Sequence, residues 1–260
     1  MKNTILNSLG IYKYYEHYLK KEIKKYEIPK HIAVILDGNR RWARKNMYIQ
    51  KVGHEKGADR VEDLIDWCRE LGIKIITIYG LSTENLEKRH DEIDYLFRLM
   101  EDKLRKLLHE PKLHKYKMRV KGLGKINKLP KSMQEVIAEL EEVTKNYDGM
   151  YFNIAIAYGG QTELVDAVKK IANMVKDGKI NVEDIDKDLI ESCLYTSHLP
   201  QPSPDLILRT SGEQRLSGFL IWQSAYSELV FMDIFWPEFR KIDLMRAIRT
   251  YQRRHRRFGV

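Results

Sequence analysis

Long apolar runs, cysteines and acidic charge are what this 260-residue chain has little of, and each shortage excludes something. No stretch approaches the roughly 18 consecutive apolar residues that a membrane-spanning helix requires. Met1 to Gly10 lacks the charged start and apolar middle of a secretory leader, so an intracellular, cytoplasmic protein is expected. Only Cys68 and Cys193 are present, neither in a CxxC nor in a paired Cys/His spacing, which argues against a disulfide framework or a zinc site and for two buried thiols. Acids number 37 against 46 Lys and Arg, a net charge of +9, which points to an anionic partner: nucleic acid, a phosphorylated small molecule or an acidic membrane surface. No internal repeat, low-complexity linker or break in composition divides the chain, so one domain is favoured, and 43% hydrophobic residues suffice for its core.

What is there alternates. Residues 1–30 are rich in Tyr and Lys, with Ile11, Tyr14, Tyr15, Tyr18 and Leu19 at helical spacing until Pro29, which predicts an N-terminal amphipathic helical extension laid on a domain spanning 31–260. That helix also suits a membrane surface. The uninterrupted apolar run Ile32 to Leu36 predicts a strand buried on both faces of a parallel sheet. Helices are predicted from about Glu55 to Leu71, Glu92 to Leu108, after Pro130, Glu163 to Val175, near Leu189 and from Asp243. Strands are predicted at Ile73 to Tyr79, Met118 to Lys121, Tyr151 to Ala157, Leu206 to Leu208, Phe219 to Trp222 and Leu229 to Phe231. This alternation predicts an α/β single domain with a mainly parallel central sheet of about six strands surrounded by helices.

The residues that carry chemistry collect where these strands end, which in a parallel sheet is one edge, and ligands bind in the crevice beyond that edge. Asp37-Gly38-Asn39-Arg40-Arg41-Trp42 follows the first strand, Ser82-Thr83-Glu84-Asn85 follows the second, and Arg209-Thr210-Ser211-Gly212-Glu213-Gln214-Arg215-Leu216-Ser217 follows a third. Asp-Gly-Asn alone is also a common turn after a strand. Three such loops together fit something doubly phosphorylated: a diphosphate needs several cations or a metal ion plus hydroxyl and backbone donors, and planar arginine forks grip two oxygens at once.

These residues resemble the cis-prenyltransferases. The resemblance runs from His31 to Gly259 and includes the Asp37 to Ala43 box, Gly53-His54 with Gly57, Ser82 to Asn85, and Asn153 with Tyr158-Gly159-Gly160. It continues through Asp205 to Thr210, Glu213, Arg215 and Ser217, Trp222-Gln223, Glu228, Trp236-Pro237 and Arg257-Phe258-Gly259. It implies a transferase that adds isopentenyl diphosphate to an allylic diphosphate primer, making cis double bonds and a long-chain polyprenyl diphosphate such as undecaprenyl diphosphate, the precursor of a glycosyl carrier lipid. The N-terminal extension resembles the archaeal branch, for which geranylgeranyl diphosphate is the implied primer. By the same resemblance Asp37 and Asn85 are catalytic, and Mg²⁺ is the cofactor, held by Asp37 and Glu228. Gly38, Asn39, Arg40, Arg41, Trp42, His54, Ser82, Thr83, Glu84 and Lys88 would meet the allylic substrate, and Arg209, Arg215, Leu216 and Ser217 the isopentenyl diphosphate. A homodimer is implied, with Arg257 to Gly259 reaching the partner's site, along with peripheral membrane contact for product release.

The default reading of several of these residues is structural: His54 as a hydrogen-bonding histidine, Trp42 as a packing residue, and the face Ile93, Leu96, Phe97, Met100, Leu104, Leu107 as core. In the family the corresponding helices wall a tunnel for the growing chain. The sequence departs from the common family pattern at Arg40, Gln50, Leu86, Lys88 and Gln214. A catalytically silent subunit would have lost Asp37, Asn85, Arg209 and Glu228, all present here. A nucleic-acid partner is not expected, since no aromatic-basic sheet motif or recognition helix accompanies the charge. A phosphatase using Asp37 as nucleophile would want a second acid where Asn39 stands.

Overall fold

The computed structural model describes residues 10–88 and 90–254, with the backbone alone at 85, 87, 88, 90 and 91. The central sheet has six strands: β1 His31–Ile35, β2 Ile75–Ser82, β3 Met118–Leu123, β4 Met150–Tyr158, β5 Leu206–Arg209 and β6 Glu228–Phe231. Their order is β3-β4-β2-β1-β5-β6 and every pairing is parallel, which bears out the α/β expectation. The chain adds β2, β4 and β3 on one side of β1, then crosses to add β5 and β6 on the other. The crevice between the carboxyl ends of β1 and β5 is therefore the topological switch point of the sheet, the position at which open α/β sheets bind ligands.

The helices used below are α1 Ile11–Ile23, α2 Asn39–Lys45, α3 Gln50–Leu71, α4 Thr83–Lys88, α5 His90–Leu108, α6 Pro111–Lys115, α7 Lys131–Thr144, α8 Gly160–Lys176, α9 Lys187–Cys193 and α10 Lys241–Arg253. All five residues of β1 are buried. Its side chains alternate between two cores: Ile32 and Val34 join the large cluster with α1, α3, α5, α7 and α10, while Ala33 and Ile35 join Tyr79, Tyr158 and Phe219 on the opposite face. A strand covered on both sides has no polar face, which is why its sequence is a solid apolar run. Cys68 and Cys193 are both buried free thiols, as expected.

Two expectations are corrected. Phe219 to Trp222 is not a strand but part of a turn-rich segment over 217–226, in which Ser217, Gly218 and Leu220 take left-handed backbone angles. Phe219 and Leu220 are fully buried against the sheet, and Phe219 stacks on Tyr79 at 4.6 Å. Burial, not extension, produced the apolar run, and short apolar runs do not separate the two. The Ser82 to Asn85 stretch is also not a loop: β2 runs to Ser82 and α4 begins at Thr83.

Helix α1 places Leu19 and Ile23 in the main core. It is tied to α10 by Glu22, which pairs with Arg249 at 3.4 Å and Arg253 at 3.1 Å, and by Gln252 Nε2 donating to the Ile23 carbonyl. No helix among the described residues is long and apolar enough to cross a membrane. The Arg257 to Gly259 element lies outside the described residues.

Candidate active site

Asp37 stands two residues past β1, and its backbone is clamped before its side chain does anything. The Asp37 amide donates to Thr210 Oγ1 at 3.1 Å, the Thr210 hydroxyl donates to the Asp37 carbonyl at 2.7 Å, and the Trp236 amide donates to the same carbonyl at 3.1 Å. The carboxylate then accepts from two arginines: Oδ1 from Arg41 Nη2 at 3.1 Å and Oδ2 from Arg209 Nη2 at 2.9 Å. Burial pushes the Asp37 carboxyl up, but the hydrogen bonds from Arg209 and Arg41 outweigh it and hold the group below its ordinary value, ionised at neutral pH.

The two arginines continue outward. Arg209, whose side chain is only 6% exposed, also donates to Ser217 Oγ at 2.9 Å and to the Arg215 carbonyl, while its buried Nε has no partner. Arg41 bridges to Glu213 at 3.0 Å and to Ser211 Oγ, and Glu213 in turn holds Arg215 at 2.5 Å. A cluster with three arginines and two acids carries excess positive charge at a single edge, and an anion with several oxygens can replace the carboxylates as the arginines' partner.

Asn39 enters this site because α3 offers it a groove without side chains. A Cβ on Gly53 would lie 2.3 Å from the Asn39 carbonyl oxygen, and one on Gly57 would lie 2.4 Å from Asn39 Oδ1. Gly38 has φ of 108° and no room for a Cβ, which would sit 2.8 Å from the Phe235 ring. The turn after β1 is therefore set by what α2 and α3 must approach.

Behind the polar cluster a cavity of about 990 Å³ runs between α3 and α5 over the sheet. Gly57, Val61 and Ile65 line it from α3, Leu96, Met100, Leu104 and Leu107 from α5, and Ile78, Phe152 and Ile154 from the sheet. The whole stripe expected on α5 packs in or against the main core, and Leu96, Met100, Leu104 and Leu107 line the cavity as well, while Ile93 and Phe97 do not. The far end is charged, where Lys106 pairs with Glu62 at 2.9 Å and Lys112 with Asp66 at 2.7 Å.

The cavity brings together Asp37, Gly38, Asn39, Arg40, Arg41 and His54 with Ser82 from the end of β2, Glu84 from the first turn of α4, and Arg209, Arg215 and Ser217. It does not bring in Trp42, Thr83, Leu216 or Glu228. Trp42 stacks on Tyr48 at 5.7 Å and donates to Glu238 at 3.2 Å; the Thr83 hydroxyl lies against Gly159; Leu216 packs on the second core. Glu228, expected on the metal with Asp37, lies elsewhere in this copy of the chain. It opens β6 and pairs in register with Leu206, which pairs with Ile32, so it sits toward the amino edge of the sheet while Asp37 lies beyond the carboxyl edge. Its carboxylate is held by Arg254 at 3.0 Å. A loop acid and a strand-opening acid look alike in sequence, and only the pairing register separates them. The side chains of Asn85 and Lys88 lie outside what is described.

Thr210 and Glu213 were not among the expected site residues, yet one locks the Asp37 backbone and the other spaces Arg41 from Arg215. Their signal was present, since both lie in the same arginine-rich loop. Among the described residues no group of three or more His, Cys, Asp or Glu converges as a ready metal cage. Asp37 alone suits Mg²⁺ nonetheless, because that ion takes one or two carboxylates and completes its shell with substrate phosphate oxygens and water.

Residues 35–259 match the family model described as "Putative undecaprenyl diphosphate synthase". The chain is 52% identical over 254 residues, 98% of this chain and 91% of the relative, to a tritrans,polycis-undecaprenyl-diphosphate synthase (geranylgeranyl-diphosphate specific) of Methanocaldococcus jannaschii. Among solved structures it is similar to lavandulyl diphosphate synthase from Lavandula x intermedia in complex with dimethylallyl diphosphate, with a TM-score of 0.84 and 35% identity, over 90% of this chain and 99% of that one. It is also similar to a probable undecaprenyl diphosphate synthase from Campylobacter jejuni, with a TM-score of 0.71 and 31% identity, over 90% of this chain and 99% of that one.

Proposed function

This chain belongs to the cis-prenyltransferase family, and on that premise we propose that it elongates geranylgeranyl diphosphate with isopentenyl diphosphate to a long-chain cis-polyprenyl diphosphate of the undecaprenyl class. It is a prenyltransferase, and its substrates are prenyl diphosphates. The observation that carries the finer reading is the junction of two unlike halves in one cavity: an arginine cluster around Asp37 and an apolar channel between α3 and α5. A prenyl diphosphate has the same two halves. Primer preference rests on the relative from Methanocaldococcus jannaschii, whose name specifies geranylgeranyl diphosphate.

The reaction sets the roles. The allylic C–O bond breaks with its electron pair leaving on the diphosphate, the isopentenyl double bond attacks the allylic carbon to form the new C–C bond, and loss of one proton makes the new double bond. Arg40, Arg41 and His54 hold the allylic diphosphate, while Arg209, Arg215 and Ser217 hold the isopentenyl diphosphate. When diphosphate enters, its oxygens take over the arginine donors that Asp37 accepts from, freeing the carboxylate to face the substrate. Asp37 would hold Mg²⁺, which when bound would supply positive charge for the departing diphosphate. The apolar walls of the channel exclude water from the allylic cation and align its tail. Asn85 assists removal of the proton; an amide is no base, so diphosphate oxygen is the acceptor. Arg257 to Gly259 of a second copy complete the site in a homodimer, and the product leaves toward a membrane that the protein meets peripherally.

Labelled isopentenyl diphosphate, supplied with Mg²⁺ and either geranylgeranyl or farnesyl diphosphate, tests this directly. Long-chain extractable product formed faster from the geranylgeranyl primer is expected. Equal or faster use of farnesyl diphosphate would overturn the primer assignment, and no incorporation with any primer would overturn the function.

A further inference from the structure

Between α2 and α3 the chain makes a tight turn that presents three consecutive apolar side chains to solvent: Met47 is 95% exposed, Tyr48 54% and Ile49 69%. The turn is held, since the Tyr48 amide donates to the Ala43 carbonyl at 2.8 Å and the Tyr48 ring stacks on Trp42 at 5.7 Å. Met47 also takes a left-handed backbone angle, φ 57°, where Asn or Gly would be less strained. Met47 thus adds almost no packing to the fold and bears some strain to stand there.

Charge around the tip is one-sided. From Gly38 to His54 the sequence holds five Lys or Arg and no Asp or Glu. Arg40 and Arg41 belong to the active site, which leaves Arg44, Lys45 and Lys51 exposed beside the tip. Lys45 sits over the Phe235 ring at 5.6 Å and Lys51 over the Tyr95 ring at 5.0 Å, so both charges stay at the surface, flanking the apolar turn. The tip is also close to the chemistry: Asn39, which lines the cavity, opens α2, and Lys45, two residues before Met47, closes it, about 9 Å apart at 1.5 Å per residue.

We propose that Met47, Tyr48 and Ile49 form a membrane-docking tip that inserts into the interface of a bilayer with anionic headgroups, with Arg44, Lys45 and Lys51 meeting those headgroups. Three side chains are far too small an area for a stable protein partner, which needs about 800 Å² a side, whereas an apolar point ringed by cations is what an anionic lipid surface binds. The proposal deepens the peripheral membrane contact of the proposed function and rests on it. Docking sets the cavity mouth against the lipid from which a long-tailed primer arrives and into which the product departs.

Sedimentation with phosphatidylglycerol-rich and pure phosphatidylcholine vesicles tests it, using the full chain and the variants Met47→Asn/Ile49→Ser and Arg44→Gln/Lys45→Gln. The wild type is expected to sediment with the anionic vesicles and release at high salt. The tip variant should lose roughly tenfold or more in affinity, and loss of two cations on the order of thirty-fold. Isopentenyl incorporation in detergent, where no bilayer exists, should be unchanged in both variants, while incorporation on vesicles falls. Equal vesicle binding by wild type and tip variant overturns the tip while leaving the function standing. No incorporation by the wild type in detergent overturns the function itself, whatever the vesicles show. A wild type that ignores both vesicles but changes its oligomeric state when the tip is altered shows a second copy on this surface, and also overturns the proposal.

Discussion

Asp37 does opposite work in the free protein and in the proposed reaction, and the difference is measurable. Free, it neutralises Arg41 and Arg209 at 3.1 and 2.9 Å. In turnover it faces substrate. Asp37→Ala should retain the fold by circular dichroism, since Thr210 clamps the backbone and not the side chain, and should lower isopentenyl incorporation at least about 100-fold. Glu163 predicts a different outcome. It is 1% exposed in the first turn of α8, accepts from the Tyr158 hydroxyl, from the Tyr195 amide at 2.8 Å and from Gln223 Nε2 at 3.1 Å, and burial raises its carboxyl despite these donors. Gln223 belongs to the turn segment that begins at Ser217. Glu163→Ala strands these donors, so it should cost about 3 kcal/mol in urea unfolding and raise KM for isopentenyl diphosphate more than for the primer, with Glu163→Gln recovering part of both. His31 gives the pH dependence. Its Nδ1–H donates to the Gln201 carbonyl, and its Nε2 lies 2.9 Å from the Thr77 hydroxyl, which accepts from Asn153 Nδ2 and can donate to the neutral ring. Burial depresses it from 6.5 to about 4. The unfolded chain therefore takes up a proton there before the folded one does. Stability is held above pH 6.5 and falls between 6.5 and about 4, by up to about 1.4 kcal/mol per pH unit, a slope that His31→Asn should flatten in denaturant titrations.

At the scale of elements, the packing of α2 on α3 decides where the first loop points. Gly53→Ala would drive a methyl to within 2.3 Å of a backbone oxygen that no rotamer change can move. A loss of about 1–3 kcal/mol and a raised KM for the allylic primer are expected, read by thermal unfolding and by primer titration. Periodicity made α3, α5 and α8 visible because each exposes one face and buries another. The same signal failed at 217–226, where left-handed residues fold an apolar stretch onto the sheet without regular backbone. It also gave the α5 stripe a single character, core, whereas four of its six residues serve core and channel together.

For the whole molecule, the arrangement that matters is the sheet order, which sets β1 beside β5 and so places Asp37 against Arg209 across 172 residues of sequence. A ligand bridging loops so distant should stabilise the entire fold and not one element. Inorganic pyrophosphate with Mg²⁺ is expected to raise the unfolding temperature of the wild type, with about 2.7 kcal/mol available at a hundredfold excess over Kd, and to raise that of Arg209→Gln much less. A shift of equal size in both proteins would argue against the shared site.

The sequence by itself determined the class of the fold, the buried character of β1, and the kinds of chemistry at the strand ends, because hydrophobic period and residue type are local properties that survive being read in one dimension. Only the tertiary structure decided which of those ends meet. Glu228 is an acid in the right company along the chain, but the parallel register sends it to the far edge of the sheet. Trp42, Thr83 and Leu216 neighbour site residues in sequence and yet turn to Tyr48, Gly159 and the second core. Strand order and side-chain direction are fixed by packing between segments far apart in the chain, and that information lies in no single stretch of sequence.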